Sequence, residues 1–133
     1  MRYSAKFVKN VFKVINMKKL VGINMVAPPK RRGLISRQLS QTDIPQKDST
    51  IDGHQLITLF PSHPTKRHVF YLHGGGYALE ASPFHKEIQE RFVKRYNLKV
   101  SYFDYPLAPE NTAEKTVPLT EKAFKKLTYL YPD

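Results

Sequence analysis

The sequence predicts an α/β fold, a partly parallel sheet with helices against it. Three observations carry this expectation. The β-prone run His68-Val69-Phe70-Tyr71-Leu72 leads straight into three consecutive glycines. A second apolar run, Leu98 to Phe103, leads into a loop rich in proline. Between the two lies one segment with a single apolar stripe at helical spacing, and strand, helix, strand in that order is a βαβ unit.

Taken from its start, the chain opens on a helical pattern over residues 3–20. Phe7, Val8, Val11, Phe12, Ile15 and Leu20 gather on one side, with Lys6, Lys9, Lys13 and Lys18 on the other. Such a helix can pack its apolar face on its own domain, lie on an anionic membrane surface through residues 1–20, or meet phosphates. No aromatic residue is interleaved with the arginines as a stacking platform, so nucleic acid is not expected as a partner. Pro28-Pro29-Lys30-Arg31-Arg32-Gly33 reads as a hinge. The organisation is then a basic amphipathic segment over 1–29, a linker over 30–33 and a folded domain over 34–133.

Within that domain, strands are expected at Leu34 to Leu39 and at Gln55 to Phe60. The polar stretch from Gln41 to Gly53, ending in Asp52-Gly53, is expected to be their hairpin connection or loop. Ser82-Pro83 is a helix start, with Ser as cap and Pro at the first helical position. Phe84, Ile88 and Phe92 should supply that helix's buried stripe, and Asn97 a left-handed stop. A last helix should begin near Thr116 with Pro118 in its first turn, burying Leu119, Ala123, Phe124, Leu127 and Leu130.

Composition narrows the function classes. The chain has 133 residues, 41% hydrophobic and 25% charged, which is enough for one small domain with a core. The formal net charge is +11, but ten of the 22 basic residues precede Asp43 and no acidic residue does. The remaining 12 basic residues meet 11 acidic ones, so the excess describes a head segment rather than a binding face. Cysteine is absent, which excludes disulfides, a thiolate nucleophile and thiolate metal ligands. Residues 1–29 lack the unbroken apolar core of an export signal, and no run approaches the length of a membrane span. On those grounds the expected compartment is the cytoplasm.

The chemistry concentrates at His73-Gly74-Gly75-Gly76-Tyr77. Three glycines in a row cost conformational entropy and suit a place where backbone must approach something closely. Their bare N–H groups can cradle an anion or a developing oxyanion, although a plain turn between strand and helix would use glycines too. The loop after the second strand reads Asp104-Tyr105-Pro106-Leu107-Ala108-Pro109-Glu110. The pair of motifs, HGGGY and then DYPLAPE, resembles the hormone-sensitive-lipase-like branch of the α/β-hydrolases, which are carboxylesterases and lipases. That branch carries an HGGG oxyanion loop after its third strand and a Y-x-L-A-P-E loop after its fourth.

The resemblance covers roughly residues 34–133 and implies several roles. Gly74, Gly75 and Gly76 would stabilise the oxyanion of an ester's tetrahedral intermediate. His73 would orient the glycine loop, and Tyr77 would line the substrate pocket or pack the loop. Asp104 to Glu110 would be scaffolding, with Asp104 capping or bonding backbone. The N-terminal helix would belong to a cap above the site. In the family's strand order the third strand lies between the fourth and a fifth, so Val69–Leu72 would be an open edge prone to self-association.

The rest of the catalytic set is missing from the sequence. Serine occurs at positions 4, 36, 40, 49, 62, 82 and 101, and none is flanked as in G-x-S-x-G. The resemblance therefore implies the front half of a hydrolase, inactive alone, cleaving a carboxylic ester only when joined to a second half. The competing expectation is a non-catalytic interaction or membrane-surface module using the basic helix. His54, His63, His68 and His85 show no ligand spacing, and the glycines match neither dinucleotide nor P-loop patterns, so no metal and no cofactor are expected.

Overall fold

The structure, a computed structural model, describes residues 16–27 and 42–132. Its elements are α1 (Met17–Val26), β1 (Gln46–Ile51), β2 (His54–Leu59), β3 (His68–Tyr71), α2 (Pro83–Tyr96), β4 (Lys99–Phe103) and α3 (Ala113–Leu130). The strand expected at Leu34 to Leu39, the linker at 30–33 and most of the helix expected over 3–20 lie outside the described residues. What is described of that helix runs on to Val26, beyond the expected end at Leu20. Asn16 caps it, its Oδ1 accepting the Lys19 N–H at 3.2 Å.

The four strands form one mixed sheet in the order β1-β2-β4-β3. β1 and β2 are an antiparallel hairpin, β2 and β4 are antiparallel, and β3 and β4 are parallel, with α2 as the crossover. The first correction falls on β1. Gln46–Ile51 was expected to be part of a connecting loop, yet it pairs residue for residue with β2. Its sequence QKDSTI hides it, because an edge strand with water on its outer side needs no apolar alternation and is protected by charge. Asp52 and Gly53 both have positive φ, 47° and 85°, which is the two-residue turn that matches strand twist.

The sheet buries both faces. On one, Leu56 and Phe103 join Ile51, Tyr105, Leu107, Leu119, Ala123 and Leu127, so this face packs under α3. On the other, Ile57, Leu59, Val100 and Tyr102 join Ile44, Ala81 and Val93, under α2. Period-two alternation in β2 and β4 assigns each residue its face. One polar row crosses the sheet: Thr58 Oγ1 lies 2.7 Å from Ser101 Oγ, and Ser101 Oγ lies 2.8 Å from His68 Nε2. Thr58 and Ser101 are buried and His68 is half-buried, and the three pair along the row.

Both longer helices differ in detail from expectation. In α2 the buried residues are Gln89 and Val93, while Phe84 is 52% exposed. α3 starts at Ala113 after Thr112, whose carbonyl accepts the N–H groups of Lys115 and Thr116. Pro118 is therefore inside the helix rather than in its first turn. Its missing N–H leaves the Glu114 carbonyl without a helical partner on an exposed side, where water can serve. Leu119, Ala123 and Leu127 are buried as expected. Thr116 replaces Phe124 and Leu130 in the buried set, and those two are 51% and 36% exposed. Asn97 ends α2 in the left-handed conformation, as its side chain permits.

Leu56 is almost fully buried opposite Phe103. Leu56→Ala should lower the free energy of unfolding by about 2–5 kcal/mol, read as a reduced urea midpoint with an unchanged slope.

Candidate active site

The glycine loop leaves the C-terminal end of β3, and the proline-rich loop leaves the C-terminal end of β4 beside it. Gly75 and Gly76 have φ of 129° and 63°, and Tyr77 follows at 58°. A Cβ on Gly75 would sit 2.9 Å from Leu79 Cβ and 3.0 Å from its carbonyl oxygen, so the tight turn needs glycine there. The turn is closed by the Leu79 N–H donating to the Gly75 carbonyl at 3.1 Å. Among the described residues no acceptor takes the N–H of Gly74, Gly75 or Gly76.

Three contacts tie the two loops together. The Tyr105 hydroxyl donates to the His73 carbonyl at 2.6 Å. The Tyr105 ring stacks on the His73 imidazole, with centroids 4.5 Å apart and planes 15° from parallel. The Ala108 N–H donates to the Tyr77 carbonyl at 2.8 Å. Burial, with smaller contributions from Tyr77, Asp104 and Tyr71, pushes the Tyr105 phenol up to about 12.

His73 is 3% exposed, and its Nδ1 lies 2.8 Å from the Gly74 carbonyl oxygen. A carbonyl can only accept, so Nδ1 carries the proton and Nε2 is a bare acceptor. That Nε2 is buried without a hydrogen-bond partner. Burial holds the pKa of His73 below the usual imidazole value, against the opposing pull of the Gly74 carbonyl, Asp104 and Glu80. Burial and the neighbouring His73 lower His85 as well.

A cavity of about 550 Å³ opens at this point. One side is Leu72, His73, Gly74, Gly75, Gly76, Tyr77 and Tyr105, and the other is Thr116, Val117, Thr120 and Glu121 of α3. Val21 of α1 lies over the loop, 3.4 Å from where a Cβ on Gly76 would be. The motif residues thus divide. His73, the three glycines, Tyr77 and Tyr105 meet at the cavity, whereas Asp104, Pro106, Leu107, Ala108, Pro109 and Glu110 do not line it. The Pro106 carbonyl accepts the Thr116 hydroxyl at 2.9 Å, and the Leu107 carbonyl accepts the Asn111 N–H. Asp104 neither caps a helix nor bonds backbone through its carboxylate; it accepts the Tyr102 hydroxyl at 3.2 Å. The α3 wall carries no sequence signal, because its cavity-facing positions fall between the apolar stripe and water.

Among the described residues the cavity brings no nucleophile and base into contact: no serine lines it, and the Thr116 and Thr120 hydroxyls both donate to backbone carbonyls. Among the described residues no group of three His, Asp or Glu could hold a metal ion, and no helix is long and apolar enough to cross a membrane.

Residues 69–130 match a family described as the alpha/beta hydrolase fold. That segment has the α/β-hydrolase fold, and its two motifs resemble those of hormone-sensitive-lipase-like esterases. An esterase candidate from Staphylococcus aureus superposes with a TM-score of 0.64 at 19% identity, over 98% of this chain and 41% of that one. The Francisella virulence factor BioJ gives 0.61 at 18%, over 96% and 41%. An esterase from the bacterial hormone-sensitive lipase family gives 0.58 at 22%, over 100% and 46%. The chain therefore spans less than half the length of these solved structures. No curated protein sequence matches it.

Two predictions follow from the clamp and the lowered histidines. Tyr105→Phe leaves the His73 carbonyl unpaired and should cost about 1–3 kcal/mol of stability by urea titration. Both histidines titrate lower when folded than the roughly 6.5 of a free imidazole, so the unfolded chain binds these protons first as pH falls. Their stabilising contribution is complete above about pH 6.5 and declines below it. Melting temperatures should drop between pH 7 and pH 5, and the drop should shrink in a His73→Asn, His85→Asn double variant.

Proposed function

We propose that this chain supplies the oxyanion-loop portion of a carboxylic-ester hydrolase of the esterase/lipase type, without activity of its own. The observation that carries this reading is that Gly74, Gly75 and Gly76, whose N–H groups meet no acceptor among the described residues, line a cavity at the C-terminal end of a parallel strand pair. Preorganised N–H donors at such a place stabilise the negative oxygen of a tetrahedral intermediate. In this role His73 orients the loop, and Tyr77, which is largely exposed, lines the acyl or alcohol pocket. The attacking serine, its acid and its base come from polypeptide outside these 133 residues. That polypeptide would cover β3, the outer strand among the described residues, and the exposed Leu72 and Phe124 beside it. Left bare, the same edge would pair one copy with another.

A second reading makes the chain a non-catalytic module that docks on an anionic membrane through its basic N-terminal segment. The exposed Leu20, Ile23, Met25 and Val26 of α1 favour it. Val21 against the glycine loop favours a cap instead.

Short-chain p-nitrophenyl ester hydrolysis separates these readings. The chain alone should give no rate above background. Co-expressed with a C-terminal portion bearing G-x-S-x-G, acid and histidine, it should give turnover that Gly75→Val reduces about 10²–10³-fold. Turnover by the chain alone, or an unaffected Gly75→Val complex, overturns the proposal. The docking module instead predicts co-sedimentation with anionic vesicles that is lost on removing residues 1–29.

A further inference from the structure

His85 lies outside both motifs. It sits in the third position of α2, beside the bare acceptor of His73. The Ser82 N–H donates to His85 Nδ1 at 2.9 Å, and the Ser82 hydroxyl lies 2.9 Å from the same nitrogen. A backbone amide can only donate, so His85 Nδ1 is unprotonated and the neutral ring carries its proton on Nε2. The two imidazoles are therefore fixed in opposite tautomers: His73 has a free acceptor at Nε2, and His85 has a donor at Nε2.

The placement of the rings matches. The Nε2 edge of His85 faces the glycine loop, 3.8 Å from where a Cβ on Gly74 would be. The ring centroids of His73 and His85 are 5.8 Å apart and their planes are inclined at 63°. Imidazoles joined end to end by an N–H···N bond of about 2.9 Å have centroids roughly 5 Å apart, so the two rings stand close to, though outside, the separation of that bond. Among the described residues the neighbouring hydroxyls are engaged elsewhere: Tyr105 stacks on the ring and gives its hydroxyl to the backbone, and Tyr102 gives its hydroxyl to Asp104.

We infer that His85 is a positioning residue of the glycine loop, its Nε2–H donating to Nε2 of His73. The donors then run in one direction, from the Ser82 amide to His85, from His85 to His73, and from His73 Nδ1–H to the Gly74 carbonyl. Bonds aligned in this way polarise and strengthen one another. Holding the Gly74 carbonyl back towards His73 leaves the amides of Gly74–Gly76 turned to the cavity. The groups facing the pair are Tyr71, Tyr102, Tyr105, Asp104 and Glu80, and protonation of either ring breaks the series. The link deepens the oxyanion-loop reading and rests on it for its purpose, but not for its detection.

The test is imidazole ¹⁵N spectroscopy of the labelled full chain near pH 8, with no ester present. The expected result is the Nδ1–H tautomer at His73, the Nε2–H tautomer at His85 and a scalar coupling between their Nε2 nuclei. His85→Gln can accept from Ser82 and still donate, so it should keep the His73 Nε2 resonance in its hydrogen-bonded position. His85→Leu should move that resonance to the free-acceptor position. If His85→Leu does not fold, the coupling in the unaltered chain decides. No coupling, an Nδ1–H tautomer at His85, or a His73 resonance indifferent to His85→Leu overturns the inference. Coupling together with a complemented protein that cleaves no ester upholds the link and removes the catalytic reading of the loop.

Discussion

The Tyr105 hydroxyl on the His73 carbonyl is the contact on which the architecture of the site depends. It joins the loops at the ends of two parallel strands. Both groups are buried, so neither can exchange its partner for water, and the unpaired alternative is costly for each. Ring stacking fixes the His73 plane at the same time, and the Ala108 bond to Tyr77 closes the far side of the loop. The glycines between these fixed points have conformational freedom that the frame around them removes. That is how a sequence rich in glycine can present an ordered row of amides.

Much of this was legible in the sequence because it rests on residues with few alternatives. Ser82-Pro83 and Asn97 have the helix-start and helix-stop uses expected of them, and the three glycines do follow a strand. The two motifs predicted their own proximity through the family they resemble, and the segment that matches that family includes both. Readings based on apolar spacing fared less well. Phe84, Phe124 and Leu130 have the right period but remain exposed, Phe124 even while its ring meets Phe70, whereas Thr116 is buried with its hydroxyl on the Pro106 carbonyl. Gln46–Ile51 is a strand that its sequence does not announce, because burial writes hydrophobic patterns and hydrogen bonding does not. An edge strand held by its backbone leaves little trace in side-chain chemistry.

Asp104 and His85 show the same lesson at the site itself. Asp104 stands where a helix cap or backbone acceptor was expected, and the choice went to a tyrosine hydroxyl two residues back on the same strand face. Sequence offers no way to choose among nearby donors. His85, three residues after the cap position, carries no signal in the sequence beyond its lack of ligand spacing. Its role follows only from knowing which tautomer each neighbour imposes, and that requires the direction of every surrounding hydrogen bond.

The row of Thr58, Ser101 and His68 across the sheet has a consequence for how the strands find one another. Sliding β4 by a single residue against β2 would turn Ser101 to the opposite layer, among Ile57, Leu59 and Val93, where no hydroxyl or imidazole awaits it. Apolar neighbours would tolerate such a slip, since one branched aliphatic resembles the next. Three polar groups that only satisfy one another in a single alignment act as a key cut for one lock, and they penalise near-miss pairings that greasy contacts alone would let pass.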